Sequence, residues 1–305
     1  MTDALLLDAG GARVELAPAT GGAIARFAFR DVDVLRPVSD EARAAGNVRG
    51  YACYPLVPYS NRIANAQLAF GGRTHTLARN FGDHPHSIHG VGWQRPWRVV
   101  AHGAASALLA LEHTTEAEDD ARAWPWPFRA TQSFALTHGA AGATLSARIT
   151  LANTGTTPFP FGLGYHPFFP RSASTELAFH ADAVWTTDAT QLPTTRIAIP
   201  DAWQFDPPRA VDPVALDNVF CSWAGEATLV DPTRRIATTI AADRAAAFLV
   251  VYVPSGRDFL AVEPVTQMTD AFNRAARGKP GTGSRTLAAG AAFSCTMRIS
   301  VCALP

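Results

Sequence analysis

The sequence predicts an all-β fold, a large antiparallel β-sandwich, on three observations. Short segments alternate apolar and polar residues at a period of two in many places along the chain, which gives each strand one apolar face. The 22 prolines and 23 glycines fall between these segments and punctuate them as turns do. Helical periodicity beyond two turns is missing.

Taken in order, strands are expected at residues 14–16, 24–29, 107–111 and 130–136, each a short alternating run. A long one follows in "ATLSARITLANTG", where Leu145, Ala147, Ile149 and Leu151 share one face and Ser146, Arg148 and Thr150 the other, before Asn153 and Gly155 mark a turn. Further strands are expected at 227–230 and 236–240. Residues 248–253 form a uniformly apolar strand, "PSGRD" a hairpin turn, and 259–262 the start of the return strand. The last strand is "AAFSCTMRISV", with Phe293, Cys295, Met297, Ile299 and Val301 on its apolar face. The one helical candidate starts at Ser39 in "SDEARAAGNV" and is stopped by Gly46. "GKPGTGSR" lacks the order of a phosphate-cradling loop and reads as a surface turn. With neither a repeat nor a linker-like stretch, residues 1–305 are expected to form one domain.

Composition narrows the function. Hydrophobic residues make up 48% and charged residues 17% of the 305, a globular balance without a membrane-spanning apolar run. Twenty-six basic side chains balance 26 acidic ones, so neither nucleic acid nor a membrane surface is an expected partner. The amino terminus is unlike a secretory signal, and a soluble cytoplasmic protein is expected. Cys53, Cys221, Cys295 and Cys302 lack metal or disulfide spacing and read as buried thiols.

Five places break the strand pattern with polar groups. In "YPLVPYSNRIANAQLAFGG", Arg62 reads either as a surface charge or as a fork-shaped donor. In "FGDHPHSIHGVGWQRPW", His84, His86 and His89 invite a metal reading, but Pro85 intervenes and no carboxylate follows at a completing spacing, so no metal is expected. They read either as loop histidines beside a tryptophan core or as a sugar surface, where aromatic faces meet C–H groups and imidazoles bond hydroxyls. In "FGLGYHPFF", Pro167 stiffens His166 among aromatics, leaving it a core histidine or an acid–base group. In "ALDNVFCSW", Asp217 reads as a turn former or a site residue. In "FLVVYVPSGRDFLAVEPVTQMTDAFN", Glu263 stands where an apolar residue would fit, so it is expected to face a pocket with partners, stiffened by Pro264.

In this order, "NRI" at Asn61, "HG" with "GWQRPW" from His89, "GLGYHPFF", "DNVF" at Asp217 and "VEPVTQMTDAFN" resemble the aldose 1-epimerase (galactose mutarotase) family over most of the chain. The sequence departs from the family's pattern at Gly90-Val91 and at Pro167-Phe168-Phe169. The resemblance implies a galactose mutarotase-like supersandwich, a sugar as partner on a concave sheet face, and no cofactor. It implies Glu263 as catalytic base and His166 as catalytic acid, with His89, Arg62 and Asp217 binding the sugar. A monomer or homodimer is expected.

The chemistry suits these residue types: a carboxylate takes the anomeric hydroxyl proton, and a histidine gives one to the ring oxygen. The competing readings are a hexose-phosphate epimerase, with Arg95, Arg98 and Arg171 as the candidate extra basic residues, a glycoside hydrolase using Asp217 with Glu263, and a non-catalytic sugar-binding protein.

Overall fold

The computed structural model describes residues 4–305. Two large antiparallel sheets dominate the chain, one of eleven strands and one of nine, with three two-stranded pairs besides them. The first runs Leu5–Ala9, Ala12–Ala17, Ala23–Phe29, Cys53–Leu56, Gly164–Pro170, Phe259–Val265, Phe248–Val253, Leu216–Cys221, Ala183–Thr187 and Pro193–Ile197, with Val32–Asp33 attached to the third. The second runs Arg98–Gly103, Ser106–His113, Phe128–Gly139, Gly142–Asn153, Ala292–Ala303, Ile236–Ala242, Glu226–Asp231, Glu176–Phe179 and Arg209–Ala210. Every strand expected from alternation lies within one of these.

Alternation works as a core code because the side chains of one face are removed from water together. On Gly142–Asn153, Leu145, Ala147, Ile149 and Leu151 are buried. Their cross-strand neighbours Leu136, Phe134, Met297 and Cys295 are buried as well. Each leucine or isoleucine among them contributes about 1.5–3 kcal/mol by leaving water. One apolar cluster draws residues from both sheets.

The helix expected at Ser39 spans Asp40–Ala44, and the Ser39 hydroxyl accepts the Ala42 N–H at 3.1 Å, satisfying a donor that the first turn leaves free. Two short helices carry no clear sequence signal: Glu118–Ala123 and Ala271–Ala276. Two expectations need correction. Cys302 is half-buried, unlike the other three thiols. The glycine-rich segment is more than a surface turn: the Met268 N–H bonds the carbonyl of buried Thr282, and a side chain at Gly283 would strike the Thr266 carbonyl. Among the described residues no helix is long and apolar enough to cross a membrane.

Ile149 is fully buried between Gln132 and Cys295 on the neighbouring strands. Ile149→Ala is expected to cost about 2–5 kcal/mol of stability, read as a lower denaturation midpoint at unchanged slope.

Candidate active site

At the centre of the eleven-stranded sheet the hydrogen-bond ladder is interrupted. Strands Gly164–Pro170 and Phe259–Val265 pair Gly164 with Val265, and resume only at Phe168 with Ala261. Pro167 and Pro264 lie in the gap, and neither has an N–H to give to a ladder. The register is the same on both sides of the gap, so His166 stands opposite Glu263. Cross-strand neighbours on one face approach closely, and here His166 Nε2 lies 3.3 Å from Glu263 Oε1. The row continues to Tyr54 beyond His166 and to Val250 beyond Glu263.

Aromatic rings fix the imidazole. Phe168, two residues along the same strand, stacks on His166 at 4.4 Å between centroids, and Tyr54 lies at 4.7 Å. His89 meets it edge-on at 5.4 Å. His166 Nδ1 is buried without a hydrogen-bond partner, so Nε2 is the nitrogen that faces a polar group.

Two left-handed residues bring the loops over this floor. Asn61 and His89 have φ of 57° and 62°, and they clasp each other: the His89 N–H bonds the Asn61 carbonyl, and the Asn61 N–H bonds His89 Nδ1, both at 3.0 Å. A neutral imidazole that accepts at Nδ1 carries its proton on Nε2. Gly90 must be glycine, since a Cβ there would lie 2.3 Å from the Val57 carbonyl oxygen, at a φ of 71°. From the same loop, Arg62 Nη1 donates to Asn61 Oδ1 at 3.1 Å, and Arg62 Nη2 lies 3.6 Å from Asp217 Oδ2. Asp217 reaches the cavity from strand Leu216–Cys221.

All five residues expected at the site, Arg62, His89, His166, Asp217 and Glu263, line one cavity of about 340 Å³. Its wall also includes Arg36, Arg49, Tyr54, Asn61, Phe168 and Tyr252; Asn61 and Phe168 belong to the motifs quoted above, and Tyr54 and Tyr252 to the stretches around them. Arg36 and Arg49 sit in ordinary loop sequence and carried no signal. The three arginines that the sequence suggested for an anion lie elsewhere: Arg95 pairs with Asp120, Arg98 is exposed on the other sheet, and Arg171 bonds the carbonyls of Arg257 and Pro254. His84 and His86 face each other at 4.9 Å, while His89 turns to His166. Among the described residues no set of three His, Cys, Asp or Glu side chains gathers as metal ligands.

Burial governs the charges. It brings His166 down to about 3, helped by Arg36, and pushes Glu263 well above the usual carboxylate range, helped by Asp217 and opposed by Arg62. His89 is held well below its ordinary value by burial, then by His166 and Arg62. Burial also raises Asp217, with Arg62 acting against it. Both shifts run the same way, against separated charge on the His166–Glu263 pair.

A large antiparallel sandwich with such a cavity on one sheet is a galactose mutarotase-like protein by fold. A galactose mutarotase-like protein from Clostridium acetobutylicum superposes with a TM-score of 0.82 over 98% of this chain and 95% of its own, at 18% identity. The chain belongs to the aldose 1-epimerase family, whose pattern it matches over residues 3–300. It is similar to the uncharacterised Escherichia coli K12 protein YphB, 28% identical over 262 residues, which are 83% of this chain and 85% of YphB. A crystal structure of a candidate aldose 1-epimerase from Escherichia coli K12 superposes with a TM-score of 0.87, covers 99% of both chains and is 26% identical. Membership of this family implies a sugar as substrate.

The two buried groups act on stability in opposite directions of pH change. The folded protein holds a proton on Glu263 above the ordinary value of 4.5, where the unfolded chain has lost it, so stability falls as pH rises through that window. His166 refuses below 6.5 a proton that the unfolded chain takes up, so stability also falls as pH drops from 6.5 toward about 3. Glu263→Gln is expected to abolish the alkaline loss, so that its melting temperature overtakes that of the wild type as pH rises. Parallel melting curves across pH would show that Glu263 titrates normally.

Proposed function

We propose that the protein interconverts the α and β anomers of an aldose with a free anomeric hydroxyl by opening and reclosing its ring, with Glu263 as base and His166 as acid. The observation that carries this reading is the buried 3.3 Å contact between a carboxyl and an imidazole on the floor of a cavity open to a small molecule. Its volume lies within the range of small-molecule sites, about 300–1,000 Å³.

The pair exists in two arrangements that share one proton. With the proton on His166, Glu263 is a carboxylate that accepts the proton of the anomeric hydroxyl, while His166 gives its own to the ring oxygen. The bond from C1 to the ring oxygen breaks, and the aldehyde forms. The pair is then neutral imidazole with protonated carboxyl, the arrangement that burial favours. The site thus stabilises the state that accompanies the open chain. Rotation about the bond from C1 to C2 presents the other carbonyl face. On closure the C5 hydroxyl attacks, His166 takes its proton, and Glu263 returns one to the carbonyl oxygen. Neither group ends with a changed proton count.

His89, Arg62 and Asp217 hold the remaining hydroxyls. The proton on His89 Nε2 makes it a donor, Arg62 supplies a fork of N–H groups, and Asp217 accepts. Tyr54 and Tyr252 offer apolar ring surface to the C–H groups of the sugar.

Glu263→Gln and His166→Asn are each expected to lower kcat for mutarotation of freshly dissolved aldoses by about 10²–10⁴, followed by polarimetry or by NMR of the anomeric protons. The double variant should lose little more than either single one, because the two groups move protons as a unit. Retention of wild-type rates by Glu263→Gln on every aldose tested would remove the carboxyl from the mechanism. The rate should also hold a broad plateau around neutral pH. It should fall on the acid side as His166 gains its second-state proton near 3, and on the alkaline side as Glu263 loses its own above the usual carboxylate range. A midpoint near 6.5, the ordinary histidine value, would contradict a shared proton.

A further inference from the structure

We infer that the sugar taken by this site carries an anionic group on the carbon next to the ring, the C6 position of a hexose, held by Arg36 with Arg49 beside it. The inference rests on the base and acid roles proposed for Glu263 and His166. Those roles orient the sugar: the anomeric hydroxyl lies at Glu263 and the ring oxygen at His166. In a pyranose the ring oxygen joins C1 to C5, and C5 bears the exocyclic carbon. That carbon therefore extends past His166, away from Glu263.

Arg36 stands on this side. Its backbone N–H bonds the carbonyl of Phe168 at 2.8 Å, which ties it to the strand of His166. Its guanidinium lies 4.2 Å from the centre of the Phe168 ring and 4.3 Å from that of Phe259, and its Nη2 donates to the carbonyls of Arg49 and Tyr51. This rigid setting leaves the charge uncompensated. Among the described residues no carboxylate forms an ion pair with Arg36 or with Arg49, whereas Arg62 on the same cavity has Asp217. Asp258 acts on Arg36 from beyond ion-pair distance and is exposed. Arg49 lies over Phe81 at 4.9 Å and lines the same cavity. Two guanidinium groups without a carboxylate partner thus line the cavity. A planar fork held by aromatic stacking is suited to paired oxygens of a phosphate, sulfonate or carboxylate.

The test compares anomerisation of glucose with that of glucose bearing phosphate, sulfonate or carboxylate at carbon six, each corrected for its uncatalysed rate. In the wild type, kcat/KM is expected to be about 10- to 100-fold higher for an anionic sugar, the range of a hydrogen bond to a charged group. Arg36→Gln should lower the ratio of anionic to neutral kcat/KM by a similar factor, chiefly through KM, with Arg36→Lys restoring part of it. Added salt should erode the preference. The three anions tell which oxygen arrangement fits. Neutral sugars turned over as well as all anionic ones, or an unchanged ratio in Arg36→Gln, would overturn the inference while leaving the base and acid roles intact. Failure to accelerate any aldose, neutral or anionic, would overturn both.

Discussion

The site depends on a place where a sheet stops bonding to itself. Pro167 and Pro264 withhold two N–H groups from the centre of the eleven-stranded sheet, and the ladder opens between Gly164–Val265 and Phe168–Ala261. Sheet on both sides of the gap keeps the register, so the interruption costs local pairing without losing alignment. His166 and Glu263 are consequently held across from each other by backbone geometry, and only their side chains need to be ordered further.

Everything above this floor limits what the pair can do. Stacking by Phe168 and the close, tilted Tyr54 ring limit the rotation of the imidazole, and Nε2 is left as the nitrogen that faces Glu263. Burial of both groups opposes separated charge. A proton can pass between carboxyl and imidazole at little cost in net charge, while adding or removing one is costly. Such a pair is suited to moving two protons in opposite directions on one small molecule. The clasp between Asn61 and His89 brings the loop donors over the same floor, at the expense of two left-handed residues other than glycine.

The cavity is electrically lopsided. Arg62 is answered by Asp217, so that side presents a matched donor and acceptor suited to neutral hydroxyls. Arg36 is answered only by carbonyls and ring faces. The difference between the two ends is of the kind that sorts substrates by charge rather than by reaction.

The sequence by itself determined most of the strands and marked the candidate site residues. Period-two alternation located most of the expected strands, because burial of one face leaves its mark at each second position, and Glu263 stood out because a carboxylate in an apolar strand needs a reason. The motif order located Arg62, His89, His166 and Asp217 in the same way. Three things were decided only by the tertiary structure. The register across two strands separated by almost a hundred residues put His166 opposite Glu263, and nothing in either segment encodes that alignment locally. The strand Cys53–Leu56 was hidden by its own proline; its ladder to Gly164–Pro170 is continuous, whereas toward Ala23–Phe29 it pairs only at Cys53 with Ile24. Arg36 and Arg49 looked like any surface arginine, since whether a charge meets a partner depends on which distant chain segment passes beside it. Here aromatic rings and carbonyls pass beside Arg36 instead of carboxylates, and that leaves its charge to the cavity.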